Sequence, residues 1–207
     1  MTSDEEGIRS FKREVPGSSI IALRGEGLVH APITRVATVV LDNTRAPEWV
    51  DSLEETRVIR MLGPQEFIGY THVNTPPIVM ADRDFVVRGK VDVDLKERSL
   101  TMRMWPARDP AAPEKSSYVR GELSAFWKLK SVADGRKTFV VAEIHADPKG
   151  GVAKWLVNWV QENWPRNTFE SLREQVAKRD IRVMPQVAAA FAGKPIDFAP
   201  VRARRSN

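Results

Sequence analysis

ADPKGGVAKWLVNWVQENWPRNTFESLREQV, residues 146–176, is the stretch that decides the fold of this chain. Asp147, Pro148 and the Gly150–Gly151 pair end whatever precedes them, because Gly and Pro interrupt regular structure and Asp is a good helix N-cap. Val152, Trp155, Leu156, Trp159 and Val160 then recur at i, i+3, i+4, i+7 and i+8, the spacing of an apolar stripe along one side of a helix. Pro165 lacks an N–H and clashes with the turn before it. It therefore kinks this helix or starts a second segment near Arg166, continued by Phe169, Leu172 and Val176. The expectation is a long, bent, Trp-rich amphipathic helix near the end of the domain. Trp155, Trp159 and Trp164 need a large apolar counterpart, which is either ordinary core or a greasy cavity under a lid.

Upstream, the counterpart reads as a sheet. Ile8 to Val15 and Ile20 to His30 read as strands around Pro16-Gly17-Ser18, a turn signal. Pro32 opens a helical pattern through Val36, Val39 and Val40, and Asn43 to Val50 reads as a second short helix. Six strands follow: Glu55 to Met61, Phe67 to Asn74, Phe85 to Leu95, Ser99 to Trp105, Tyr118 to Ser131 and Thr138 to Ala146. Short connections at Gly63-Pro64, Lys96-Glu97 and Asp134-Gly135 imply hairpins and hence an antiparallel sheet. Phe85, Val87, Val91, Val93 and Leu95 share one strand face, while Asp84, Arg88, Lys90, Asp92 and Asp94 share the other, the pattern of a half-solvated sheet. Val140, Ala142, Ile144 and Ala146 form a wholly apolar face on the last strand. Patterning alone thus predicts an α+β fold in which a curved antiparallel sheet grips a terminal helix.

Composition narrows the class. A chain of 207 residues with 42% hydrophobic and 29% charged residues is expected to be one globular domain, large enough to hold an internal cavity. No apolar run approaches the roughly 20 residues that span a bilayer. The start, MTSDEEGIRSFKREV, has no apolar segment of a signal peptide, although a chain whose leader had been removed looks the same. The absence of Cys excludes disulfides and Cys-ligated metal, and suits a reducing compartment. A net charge of +5 is mild, and no nucleic-acid-binding motif accompanies it, so no nucleic-acid partner is expected. No phosphate loop, nucleophile elbow or metal-ligand spacing is present, and His30, His72 and His145 stand apart. His72 reads as structural; His145 is solvent-facing, simply hydrogen-bonded, or a polar group of the cavity. No catalytic group, metal or cofactor is expected.

GGVAKWLVNWVQENWP after a strand ending in Ala-Asp closely resembles the C-terminal helix of START domains, the steroidogenic-acute-regulatory-related lipid transfer family. It is most similar to the phosphatidylcholine-transfer branch. A second match, TPPIVMADRDFVV at Thr75 to Val87, stands in the family's order, and the resemblance covers most of residues 8–180. It implies a helix-grip fold of the START/Bet v1-like kind, a START-like lipid-binding domain at residues 1–180, and a C-terminal tail or extra short helix at 181–207. It also implies a non-enzymatic protein that encloses one hydrophobic or amphiphilic ligand, phospholipid or sterol-like, in a tunnel under the last helix. Its partners would be that lipid and a transient membrane surface, with a cytoplasmic location or a leader-cleaved periplasmic one. Sterol-binding members often carry an acid just after a Thr-His and a base after the Arg-Asp-Phe-Val. The matching positions here are Val73 and about Gly89, with Arg88 one place away, so the resemblance does not carry that pair. Two other readings stay open, a helix-grip enzyme of the aromatic polyketide cyclase type and a lipid sensor without transfer activity.

Candidate ligand contacts follow. Trp155, Leu156 and Trp159 would wall the cavity. Arg83 and Asp84 point opposite ways on a strand, so each either satisfies neighbouring groups or meets a lipid head group, Arg being suited to bidentate phosphate contact. Arg88 and Arg103 extend the same idea. Trp105 and Trp127, with Tyr118 and Phe126, are candidates for an aromatic wall or for core. The Pro-rich loop Pro106 to Ser117 either belongs to the cavity mouth or is a solvated hairpin loop.

Overall fold

The computed structural model describes residues 3–5, 7–75, 81–152 and 162–194. Its strands are β1 (Ser3–Glu5), β2 (Ile8–Arg13), β3 (Ala22–Val29), β4 (Leu53–Gly63), β5 (Glu66–Val73), β6 (Arg83–Asp94), β7 (Ser99–Pro106), β8 (Val119–Arg120), β9 (Glu122–Val132) and β10 (Lys137–Asp147). Helices α1 (Ile33–Leu41), α2 (Trp164–Ala177) and α3 (Pro185–Phe191) join them, with a 3-10 turn at Ala46–Glu48. One sheet runs in the order β1-β2-β3-β10-β9-β7-β6-β5-β4, antiparallel throughout, and β8 pairs parallel with β6 off this path. The sheet is not closed; β1 and β4 are its edges. This is the α+β helix-grip arrangement.

Three elements differ from the sequence reading, each for a physical reason. Strand β1 carries no apolar alternation, so nothing in its side chains announces it; backbone pairing with β2, Glu5 opposite Ile8, makes it a strand. The expected strand Tyr118 to Ser131 is two strands, broken at Gly121. A Cβ there would collide with the Phe85 ring and stand 3.0 Å from the Asp147 carbonyl oxygen, so only Gly lets the chain leave β6 and pair with β10. The polar face of β6 is solvated at Arg88, Lys90 and Asp94 but not at Asp84, which is buried. Leu95, assigned to the apolar face, is 48% exposed past the strand end.

The helices lie on the apolar face of the sheet. Helix α1 starts after Pro32 and buries Ile33, Val36, Ala37 and Val39. In α2, Pro165 stands in the first turn, where a missing N–H leaves no bond unmade, so it begins this helix instead of kinking it. Phe169, Leu172 and Val176 are the buried stripe of α2. The Phe169 ring sits on β3 over two glycines, since a Cβ on Gly25 would lie 2.8 Å from Cε2 and one on Gly27 3.0 Å from Cε1.

Side chains fix the far ends of the helices. Arg35 donates to the carbonyls of Val176 (2.7 Å), Ile181 (3.0 Å) and Lys178 (2.5 Å), supplying partners for the C-terminal carbonyls of α2. The Thr38 hydroxyl donates to Thr34 O and accepts from the Met184 N–H at the start of α3. Helix α3 buries Val187 and Ala190.

Gly25→Ala is expected to force Phe169 off its seat and lower stability by about 1–3 kcal/mol, as overpacking does. Urea unfolding would measure it, and an unchanged midpoint would show that α2 is not held at this contact.

Candidate functional site

A cavity of about 670 Å³ lies between the helices and the half of the sheet that runs from β4 to β10. Alternation along each strand builds its wall: Val87 and Val91 on β6, Met102 and Met104 on β7, Ala125 and Trp127 on β9. Val40 and Leu41 of α1, Trp164 of α2 and Met184 complete it from the helix side. Trp49 follows the 3-10 turn and meets Trp127 edge to face, with ring centroids 6.2 Å apart at 82°. That turn is held to α2 through Glu48, which accepts from Arg45 (2.6 and 2.7 Å), Gln175 (2.9 Å) and Lys178 (3.0 Å). Those donors, Arg45 foremost, hold the Glu48 carboxyl well below the usual carboxylate range.

The charged residues on the cavity lining, among the described residues, are Asp42, Asp51 and Arg57. Asp51 and Arg57 are exposed. Asp42 accepts from the Thr44 N–H (3.0 Å), and Arg57 pairs with Glu55 (2.8 Å) and lies 4.6 Å over the Tyr70 ring. The rest of the lining is apolar or uncharged. Such a space takes a ligand by removing apolar area from water, worth roughly 25 cal/mol per Å². Among the described residues no cluster of His, Asp or Glu has the arrangement of a metal site, and no helix is long and apolar enough to cross a membrane.

The sequence profile of the START domain matches residues 1–177. The chain belongs to the START domain family. It is 25% identical over 180 residues to an uncharacterised protein of Pseudomonas aeruginosa, covering 86% of this chain and 87% of that one. Human STARD10 superposes with a TM-score of 0.78 at 16% identity, over 86% of this chain and 72% of that one. A STAR-related lipid transfer protein from Xanthomonas axonopodis gives 0.73 at 24% identity, over 86% and 97%. The Zhui aromatase/cyclase of a Streptomyces species is a more distant likeness, with a TM-score of 0.53 at 14% identity over 83% and 95%. Family membership implies binding of a lipid or another hydrophobic ligand.

The structure distributes the residues singled out in the sequence over three places in this START domain. Trp127 is on the cavity wall, 7% exposed. Trp155, Leu156 and Trp159 lie outside the described residues. The others stand elsewhere. Arg83 is buried and donates to the carbonyls of Ala81, Pro148 (3.2 Å) and Lys149 (3.4 Å), tying the start of β6 to the chain leaving β10. Burial pulls its pKa below the usual arginine value, partly offset by Asp82. Asp84, on the opposite strand face, accepts two bonds from Arg120 at 2.7 and 2.9 Å. Arg88 is exposed on that same face, paired with Glu66 (2.5 Å) and 5.7 Å over the Trp105 ring. Arg103 is likewise exposed, 5.5 Å over Phe126, and Trp105 is 37% exposed. Strand parity explains the division, because Arg88, Trp105, Arg103 and Phe126 are cross-strand partners on the outer face.

The loop from Pro106 to Ser117 is neither at the cavity mouth nor a solvated hairpin. It covers the outer face, where Ala112 packs with Ile68, Tyr70 and Val86. Asp109 anchors it, accepting from Arg60 (2.7 Å) and from the Ala111 N–H (2.9 Å). Tyr118, at its end, stacks on His72 with centroids 4.3 Å apart, and His145 Nε2 is 3.2 Å from Ser18 Oγ.

Several cavity residues went unread in the sequence. Met102 and Met104 carry a strand period of two, and Met61 and Met184 join them, so four of the six methionines line the cavity. Trp164, Asn167, Thr168 and Ser171 are spaced i, i+3, i+4 and i+7, a complete helical stripe hidden by its polar composition.

Two outcomes are expected on the outer face. Asp84→Ala leaves Arg120 buried without its partner and should lower stability by about 3–5 kcal/mol in urea unfolding, whereas Asp84→Leu with Arg120→Met restores most of it. A loss under 1 kcal/mol for the single variant would contradict a structural role. Burial, then the Asp84 charge, pushes the Tyr70 phenol from 10.0 up to about 12. Folding thus favours its neutral form, and that stability, complete below pH 10, is lost between about pH 10 and 12. Tyr70→Phe should flatten the alkaline fall of the unfolding free energy in that window; an unchanged slope would assign the fall to other groups.

Proposed function

We propose that this START domain is a lipid-binding, lipid-transfer protein that encloses one hydrophobic or amphiphilic ligand, phospholipid or sterol-like, in the cavity beneath its C-terminal helices. The observation that carries the reading is the cavity of about 670 Å³, walled by apolar strand faces and by the Trp49–Trp127 pair. Its volume falls within the range of small-molecule pockets, roughly 300–1,000 Å³. The action is physical. Burial of apolar ligand surface slows release into water, and contact with a membrane supplies an alternative apolar phase. Trp127 acts here as a wall for the ligand's apolar part, and Trp155, Leu156 and Trp159 as the continuation of that wall. The STAR-related lipid transfer protein of Xanthomonas axonopodis shares the fold and supports the reading by analogy.

A polyketide cyclase-type enzyme is the second reading, favoured by the likeness to the Zhui aromatase/cyclase. Acid–base chemistry needs titratable groups within reach of the substrate. The described lining offers Asp42, Asp51 and Arg57, two of which are exposed, and no His or Glu. The carrier reading therefore takes precedence, with no catalytic residue assigned.

Native mass spectrometry of freshly purified protein, followed by organic extraction, is expected to find one lipid per chain. Trp127→Glu places a charge in the apolar wall and should reduce uptake of lipid from donor vesicles more than about tenfold, while Trp127→Phe retains it. A folded Trp127→Glu protein that loads normally would remove Trp127 from the ligand wall. Wild-type protein that takes up no lipid from any vesicle would overturn the carrier reading.

A further inference from the structure

The inner face of the sheet carries a second aromatic seat besides the one under Phe169. Met61, Phe67, Gly89 and Met104 stand in one row across β4, β5, β6 and β7, each the register partner of the next. Alternation along β6 puts Val87, Gly89 and Val91 on the same face. Val87 and Val91 line the cavity, but Gly89 between them does not, because the Phe67 ring lies over it. A Cβ on Gly89 would stand 2.6 Å from Cε1 and 2.7 Å from Cε2 of that ring, and would collide outright with Cζ. One on Gly69, two residues along β5, would stand 3.3 Å from Cε2. Backbone conformation does not call for a glycine at either position, since neither has a left-handed φ. Close approach of the ring does.

Side chains on a strand stand roughly perpendicular to the sheet, so a Phe67 with any side chain opposite it would rise into the space above the strands. Lacking a Cβ, Gly89 lets the ring tip over β6 and lie low. Phe67 is half-buried and forms part of the cavity lining. Met61 and Met104, at either end of the row, are unbranched and refit to what they meet, whereas a phenyl ring resting on backbone has nowhere to yield.

Resting on the carrier reading above, we infer that the Phe67–Gly89 seat sets the girth of the ligand this cavity accepts. The ring fills the trough that Gly89 would otherwise leave between Val87 and Val91, and so bounds the thickness of a ligand lying against the strands. The missing Cβ keeps the ring from standing up into the same space. The two residues therefore act in opposite directions. Removing the ring deepens the floor, whereas adding a side chain beneath it raises the floor. Selectivity then comes from what the cavity refuses as much as from what it binds.

The test titrates delipidated full-length protein with two uncharged dyes, diphenylhexatriene, a slim rod, and Nile red, a broad fused-ring plate. Phe67→Ala is expected to raise the affinity for Nile red relative to diphenylhexatriene by about tenfold, the lower end of what one methylene decides in a fitted apolar pocket. Gly89→Ala should lower the Nile red affinity by about the same factor, and in the Phe67→Ala, Gly89→Ala double variant that loss should vanish. Lost stability alone would weaken both dyes alike and leave their ratio where it was. An unchanged ratio in Phe67→Ala protein that circular dichroism shows to be folded would overturn the inference. So would a Gly89→Ala loss that persists without the ring. Should Gly89→Ala fail to fold, Phe67→Leu joins Phe67→Ala, and the ratio in those two decides. Wild-type protein that binds neither dye would sink the carrier reading and this inference with it. Dye binding with a ratio indifferent to residue 67 leaves that reading standing and removes only the seat.

Discussion

The Phe169 ring seated on Gly25 and Gly27 sets the distance between helix and sheet on which the rest of this START domain depends. With no Cβ on either residue, α2 comes closest to the sheet at β3, and it packs on β2 and β3. Strands β4 to β7 stand on the other side of β9 and β10 in the sheet order, and their inner faces line the cavity. Close packing at one side of the sheet is thus what leaves space at the other. Interiors ordinarily close to crystalline density, so a space of this size persists only where anchored elements cannot collapse into it. Arg35 on the α2 carbonyls, and Glu48 beneath Gln175 and Lys178, are those anchors.

The same geometry explains what the sequence could show. The strands from β4 to β10, their antiparallel hairpins and the apolar faces of β6 and β10 were legible because period-two alternation and turn residues need only local sequence, whereas the pairing of β3 with β10 was not. The family resemblance was legible in GGVAKWLVNWVQENWP and TPPIVMADRDFVV, and the matched residues 1–177 contain both. Where each polar residue points was less so. Arg83 and Asp84 stand next to each other in sequence, yet one reaches the Pro148 and Lys149 carbonyls and the other Arg120 on the far side of the sheet. Asp84 looked solvated because its neighbours Arg88 and Lys90 are. What buries it is a loop some 25 residues downstream in sequence, held over it by Asp109, Ala112 and Arg120. No local pattern encodes a cover supplied from so far along the chain. The polar stripe of α2 was missed for the converse reason, since periodicity is sought among apolar residues and this one is mostly polar.

Charge is sorted by the sheet. Its outer face holds Arg88 with Glu66, Arg103 beside Asp92, and the Asp84–Arg120 pair under the loop. The inner face of the same strands presents Phe67, Val87, Val91, Met102 and Met104. A salt bridge at the surface contributes little to stability, and a buried one contributes mainly by the penalty of breaking it. Neither kind helps a ligand that enters by its apolar surface. Keeping the charges of β6 and β7 on the outer face leaves the inner face of those two strands apolar where it meets the cavity.

That separation limits how such a cavity can discriminate. Apolar area rewards every greasy molecule in proportion to its surface, so a wall of Trp, Val and Met distinguishes chain from chain poorly, by about 0.8 kcal/mol per methylene. Methionine softens the wall further, since its unbranched side chain refits to whatever shape is present. Discrimination must come from the few places where a mismatch is costly. In any such cavity those are the ends of the space, which limit length, and the few polar side chains on the lining, where an unmatched group gives up water without gaining a partner. A ligand carried in such a cavity would be held by area and chosen by polarity.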